Sequence, residues 1–124
     1  MLLAIFIKHY LNNEGIAYFV SQWFPAIQEK ICKQDGFLSI CYHQDATDID
    51  CVNIKLLFTN HETLQKWAQT QDHDNLVDCL DPYRVRDWQV ATLEMNTQSE
   101  VDTSTLAWET IIPRQVLYER EVIC

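Results

Sequence analysis

The opening run of the chain constrains the fold most. Residues 2–11 read LLAIFIKHYL. Alternation of period two puts Leu3, Ile5, Ile7 and His9 on one face and Leu2, Ala4, Phe6 and Lys8 on the other. Both faces begin apolar, so this strand is expected inside a sheet with cover on both sides. A strand with one wet face would alternate apolar with polar instead. The run falls short of the ~18 apolar residues of a membrane helix. It also lacks the basic leader and small-residue cleavage site of a signal peptide.

Asn12-Asn13-Glu14-Gly15 breaks the strand, with Asn13 the expected helix N-cap. Ile16, Val20, Trp23, Ile27 and Ile31 recur at steps of three and four, which predicts an amphipathic helix over 14–33. Pro25 should kink it, since the ring removes a backbone donor. After the Asp35-Gly36 turn, two alternating runs predict strands. Leu38, Ile40 and Tyr42 oppose Phe37, Ser39, Cys41 and His43. Val52, Ile54, Leu56 and Phe58 oppose Cys51, Asn53, Lys55 and Leu57. The loop 45–50 makes 37–59 a hairpin. Its greasy face suits helices, and its mixed face suits water, a partner or a cavity.

Thr59 and Glu62 stand at capping-box spacing ahead of a second helix carrying Leu64, Trp67 and Ala68. A polar break at 69–74 precedes a short helical piece with Leu76, Cys79 and Leu80, stopped by Asp81-Pro82. Residues 84–95 read as a fourth strand, Val85, Ala91 and Leu93 against Arg84, Arg86, Trp88 and Val90. Strand, helix, hairpin, helix, strand is the order of a ferredoxin-like βαββαβ unit, an α+β antiparallel sheet with helices on one face. That unit takes residues 1–95. Residues 96–124 are an extension, a polar linker over 96–105 and an apolar tail over 106–124, expected to dock in extended form. The face opposite the helices is left open, which predicts a homodimer.

Composition excludes several functions. Nine Lys and Arg face eighteen Asp and Glu, a formal charge of −9. That field repels phosphate backbones and anionic membranes, so neither nucleic acid nor membrane is an expected partner. The two glycines, Gly15 and Gly36, are too far apart for a phosphate-cradling loop. Five cysteines, odd in number and without CxxC spacing, read as reduced thiols of a cytoplasmic protein.

Three stretches together resemble the antibiotic biosynthesis monooxygenase (ABM) domains of the dimeric α+β barrel superfamily. They are the apolar strand–helix opening, Asp35-Gly-Phe-Leu-Ser-Ile-Cys41, and Thr59-Asn-His-Glu-Thr-Leu-Gln-Lys-Trp67 followed by Gln71-Asp-His73. The second is similar to the family's Pro-Gly-Phe turn, with Asp in the Pro position. The third is similar to its acidic helix start, Trp and following His. The resemblance spans residues 2–95. It implies a cofactor-independent monooxygenase acting on a small aromatic or quinol-like substrate, or a non-catalytic binding or interaction domain of the same fold. It argues against the haem-degrading branch. That branch has an Asn late in the first strand, where this chain has Ile7, Lys8 and His9. Its axial His falls at position 77, which here is Val.

On this reading Trp67 walls an aromatic pocket by stacking. His43 and His73 are the candidate bases, and His9 takes the same kind of strand-end position. Arg86, with Arg84 two residues away on the same strand face, would steady a phenolate. Tyr42, Asn53, Tyr83 and Trp88 complete the expected lining. Each also has a plain packing or surface role. The Asp72, His73, Asp74, Asp78 and Cys79 cluster has no recognised metal spacing, and no cofactor is expected.

Overall fold

In the computed structural model, which describes residues 2–96 and 102–112, the opening run is the centre of the sheet. β1 (Leu2–Tyr10) pairs antiparallel with β3 (Cys51–Phe58) on one side and β4 (Trp88–Met95) on the other. β2 (Phe37–Gln44) joins β3 as the expected hairpin. A short β5 (Glu109–Ile111) adds to the free edge of β4, so the order is β2-β3-β1-β4-β5. The first four strands have ferredoxin-like connectivity, and the fifth comes from the extension.

The α-helices of the described residues lie on one face. α1 (Asn13–Tyr18), a π-helical turn (Phe19–Trp23) and α2 (Phe24–Ile31) run on from β1. α3 (His61–Ala68) and α4 (Gln71–Leu80) connect β3 to β4. The core packs Phe19, Trp23, Ile27, Ile31, Trp67 and Leu80 on Leu3, Ile5, Val52, Ile54, Leu56 and Phe58. The greasy faces of β3 and β1 thus meet the helices, as do Ile40 and Tyr42 of β2. A register shift between Phe37 and Ser39 packs Phe37 against the core instead and leaves Leu38 46% exposed.

The opposite face is not left bare. Ala4, Phe6, Leu57 and Met95 are buried there under Leu106 and Trp108 of the extension. The Trp108 indole donates to the Thr103 carbonyl at 3.0 Å, and the Lys8 ammonium sits 5.0 Å from the Trp108 ring centroid. This cover is why both faces of β1 are apolar. Residues 97–101 of the expected linker and 113–124 of the expected tail lie outside the described residues.

Several local expectations need correction. Asn12, not Asn13, caps α1, its side-chain oxygen accepting from the Gly15 N–H at 2.8 Å. Pro25, expected to kink the helix, stands where the π turn passes into α2. It enters the first turn of α2, where a missing N–H is tolerated, after the wide turn in which the Phe24 N–H reaches the Phe19 carbonyl. The extra residue of that turn rotates the apolar stripe. Phe19 is buried, and Val20 is 49% exposed.

Asn60, not Thr59, caps α3 by accepting from the Thr63 N–H at 2.9 Å. α4 begins inside the expected polar break. Thr70 caps it, and Asp72 and Asp74 sit in its first turn, where the helix dipole favours acids. β4 begins only at Trp88, after a 3₁₀ turn at Asp81–Tyr83. Arg84 and Arg86 therefore do not share a strand face. Arg84 is buried and Arg86 is exposed. Among the described residues no helix is long and apolar enough to cross a membrane.

Candidate functional site

A cavity of about 260 Å³ lies between the sheet and the helices. Its floor is the helix-facing side of β1, β3 and β4, including Ile5, Ile7, Ile54, Leu56 and Val90. Its roof and sides come from Trp23, Ile27, Leu64, Trp67, Leu76 and Val77. Against this apolar wall stand two imidazoles, His9 and His73, together with Trp88. Trp23 is fixed by its indole N–H, which donates to the Leu76 carbonyl at 2.6 Å and ties the first helix run to α4.

His9 is 2% exposed, and its position follows from the register. Lys8 pairs with Gln89, so the next step brings His9 beside Trp88. The two rings are 5.0 Å apart between centroids, and Trp23 meets His9 edge-on at 5.8 Å. Behind His9 the Arg84 guanidinium contacts Nδ1 at 2.9 Å. The same guanidinium is held by Asp81, Nε to Oδ1 at 2.8 Å, with both side chains fully buried.

A guanidinium has only donors, so Nδ1 of His9 must accept and the imidazole proton sits on Nε2. Burial, followed by the Arg84 charge, holds the His9 pKa well below its ordinary 6.5. His9 is a neutral hydrogen-bond donor.

His73 is arranged the opposite way. Its Nδ1 lies 3.2 Å from the Asp74 carboxylate, and its ring meets Trp67 edge-on at 5.6 Å. An Nδ1–H donated to that carboxylate leaves Nε2 as an acceptor, the orientation of a general base. One cavity thus carries one imidazole set as a donor and one suited to accept.

Of the residues singled out in the sequence, Trp67, His73 and Trp88 meet in this cavity. His43 and Asn53 do not. Both belong to the mixed strand face and line a separate groove on the other side of the sheet, with Lys8, Lys55 and Trp108. His43 is exposed there, and Asn53 donates to the Asp45 carboxylate at 2.9 Å. Alternation along β2 and β3 forbids these side chains from sharing a ligand with Trp67.

Tyr42 is packing, edge-on to Phe19 and Phe24. Tyr83 stacks on Tyr18 at 5.2 Å. Arg86 lies over the Tyr10 ring, 4.0 Å from its centroid, so its charge is not in the cavity. Among the described residues no group of three or more His, Cys, Asp or Glu is arranged to hold a metal ion. His9 and Arg84 are a buried pair that motif reading underweights. Period-two alternation already aims His9 at the helices, but nothing in the spacing announces its guanidinium partner.

No family model matches the sequence, and neither does any curated protein. Solved structures do match. A crystal structure of an antibiotic biosynthesis monooxygenase superposes with a TM-score of 0.66 at 16% identity, covering 77% of this chain and 99% of the other. An ABM candidate from Nitrosomonas europaea gives 0.71 at 8% identity over 80% of this chain and 94% of its own. The cofactor-independent oxygenase SnoaB from Streptomyces nogalater gives 0.67 at 10% identity over 78% and 95%.

This chain has the ABM fold.

The buried donor in this ABM fold has a consequence for stability. His9 is neutral in the folded chain and takes up a proton near pH 6.5 once unfolded. The unfolded state therefore binds more protons below that pH, and stability is full above 6.5 and declines as the pH falls through it. Urea denaturation between pH 7.5 and 5 should show a decline approaching about 1 kcal/mol per pH unit. His9→Gln, which keeps an acceptor for Arg84, should flatten it. The Asp45 carboxylate is held well below the usual carboxylate range, chiefly by the Asn53 amide, so its own loss begins only near pH 4, outside that window. An equal slope in His9→Gln contradicts the assignment.

Proposed function

We propose that the chain is a cofactor-independent monooxygenase that oxidises a small aromatic or quinol-like substrate in the cavity between sheet and helices. The observation that carries this reading is one apolar cavity walled by Trp23, Trp67 and Trp88 and holding an imidazole paired to a carboxylate. At about 260 Å³ it lies just under the ~300 Å³ at which pockets for drug-sized ligands begin, which suits a molecule of one or two rings. The tryptophans orient the ring plane by stacking and edge contacts. His73 Nε2 takes the phenolic proton, and Asp74 steadies the resulting imidazolium. The electron-rich anion then reacts with oxygen.

The substrate itself supplies the electrons. A hydroquinone and one dioxygen give a hydroxyquinone and one water. One oxygen atom enters a ring C–H bond, and the other leaves as water with the two hydrogens that the substrate loses. Dioxygen is thereby fully reduced, and no further reductant enters. SnoaB, described as a cofactor-independent oxygenase, supports the reaction class through the shared fold.

A second reading, ligand binding without turnover, draws on the wall itself, which apart from the imidazoles and Trp88 offers little but aliphatic and aromatic surface. Oxygen uptake decides between them. With hydroquinones and polycyclic phenols, the wild-type chain should consume oxygen, and His73→Ala should lower kcat by about 10²–10⁴. His43→Ala should leave it within twofold. No uptake with any of these substrates contradicts the oxygenase reading.

We also propose that the protein is a homodimer formed across the outer sheet face. Leu106 and Trp108 cover the Phe6 side of that face, while Cys41 and His43 on β2 stay exposed. A second copy covering them gives β2 the burial that a sheet face ordinarily finds. Sedimentation velocity at micromolar concentration should give the dimer, and a monomer contradicts the proposal.

A further inference from the structure

The wall of the cavity holds a polar group that is unsatisfied among the described residues. The indole N–H of Trp88 is buried and has no acceptor among the described residues, although the ring is 9% exposed overall. Buried donors without acceptors are uncommon, because each forfeits its hydration with nothing in return. The His9 imidazole lies next to it. Its ring makes one hydrogen bond, through Nδ1 to Arg84, and that bond fixes the proton on the other nitrogen. His9 and Trp88, with rings 5.0 Å apart, thus both line one largely apolar cavity, and among the described residues neither ring N–H has an acceptor.

We propose that the cavity binds its ligand through a carbonyl or phenolate oxygen, held jointly by His9 Nε2–H and Trp88 Nε1–H. This deepens the oxygenase reading and rests on it for the identity of the cavity as the substrate site. It adds the ligand chemistry. Neither donor can accept, so a ligand presenting only N–H or ammonium groups leaves both unsatisfied and is rejected. An aryl ketone, quinone or phenolate satisfies both.

The pair is also suited to charge. Arg84 stands 5.4 Å from the Trp88 ring and behind His9, so the positive end of the buried ion pair faces the donors. An oxygen gaining negative charge as the phenol is deprotonated is stabilised where it forms, in a site of low dielectric. His9 and Trp88 are then substrate-binding groups, and Arg84 and Asp81 are positioning residues that act through His9.

The test compares 1-tetralone with tetralin, a ketone and its parent hydrocarbon, neither of which turns over by the proposed reaction. Binding is read by NMR on the full-length chain. Tetralone should move the Trp88 indole N–H resonance downfield, and tetralin should not. Trp88→Phe keeps an aromatic side chain, though a smaller one, and removes the donor. It should reduce the preference for ketone over hydrocarbon about tenfold, while tetralin still binds.

An unmoved indole resonance, an unchanged preference in Trp88→Phe, or failure of both ligands to bind overturns the proposal. These outcomes are separate from turnover. A donor-dependent ketone preference in a chain that consumes no oxygen keeps this inference and rejects the oxygenase. Oxygen consumption with a preference indifferent to Trp88 does the reverse.

Discussion

Arg84 is the residue on which the cavity depends. Its guanidinium, without solvent exposure, bridges the Asp81 carboxylate and the His9 imidazole, and its other terminal nitrogen lies 3.4 Å from the Val77 carbonyl. It thereby ties the end of α4 and the following 3₁₀ turn to the last residues of β1. Burying such a pair is expensive, and the mutual attraction offsets that cost only when the remaining donors are satisfied. Here carboxylate, imidazole and carbonyl satisfy them. Removing either charged partner leaves an uncompensated buried charge, a loss of about 3–5 kcal/mol. The arrangement also has a chemical effect, because it decides which nitrogen of His9 carries the proton.

The sheet separates two environments of different character. Toward the helices, β1, β3 and β4 present aliphatic side chains with His9 and Trp88, and the helices answer with Trp23, Trp67 and His73. Toward the extension the strands present Phe6, Leu57 and Met95 under Leu106 and Trp108, and beside these Lys8, Lys55, Asn53 and His43. The chain's basic residues thus take two roles. Arg84 is internal and paired. Lys8 and Lys55 lie on the outer face against the Trp108 and Phe6 rings. The formal charge of −9 describes the surface as a whole and says little of the cavity, whose chemistry comes from two neutral donors and one carboxylate-paired imidazole.

The strands and most of their facing were legible in the sequence because period-two alternation is strong in β1, β2 and β3; the register shift between Phe37 and Ser39 hid the facing of Phe37 and Leu38. The same alternation put Trp67's sheet partners on one side and His43 on the other. It did not unite His43 with Trp67, since one sheet thickness lies between them. Two features were hidden for definite reasons. The π turn at Phe19–Trp23 breaks the 3.6-residue period, so a helical stripe drawn through Val20 pointed to solvent. The pairing of Asp81 with Arg84 is an i, i+3 contact across a 3₁₀ turn, while the run 84–95 read as one continuous strand and carried Arg84 onto the wrong element. Three-residue β5, with two exposed positions, has too little pattern to stand out from its polar surroundings.

The central claim is that Arg84 holds His9 as a neutral donor with its proton on Nε2. Long-range ¹H–¹⁵N correlation of the histidine rings tests it directly, without ligand or turnover. For His9 it should show an unprotonated, acceptor-type Nδ1 and a protonated Nε2, unchanged from pH 8 down to pH 6. A proton on Nδ1, or an imidazolium already formed at pH 6, would contradict the account.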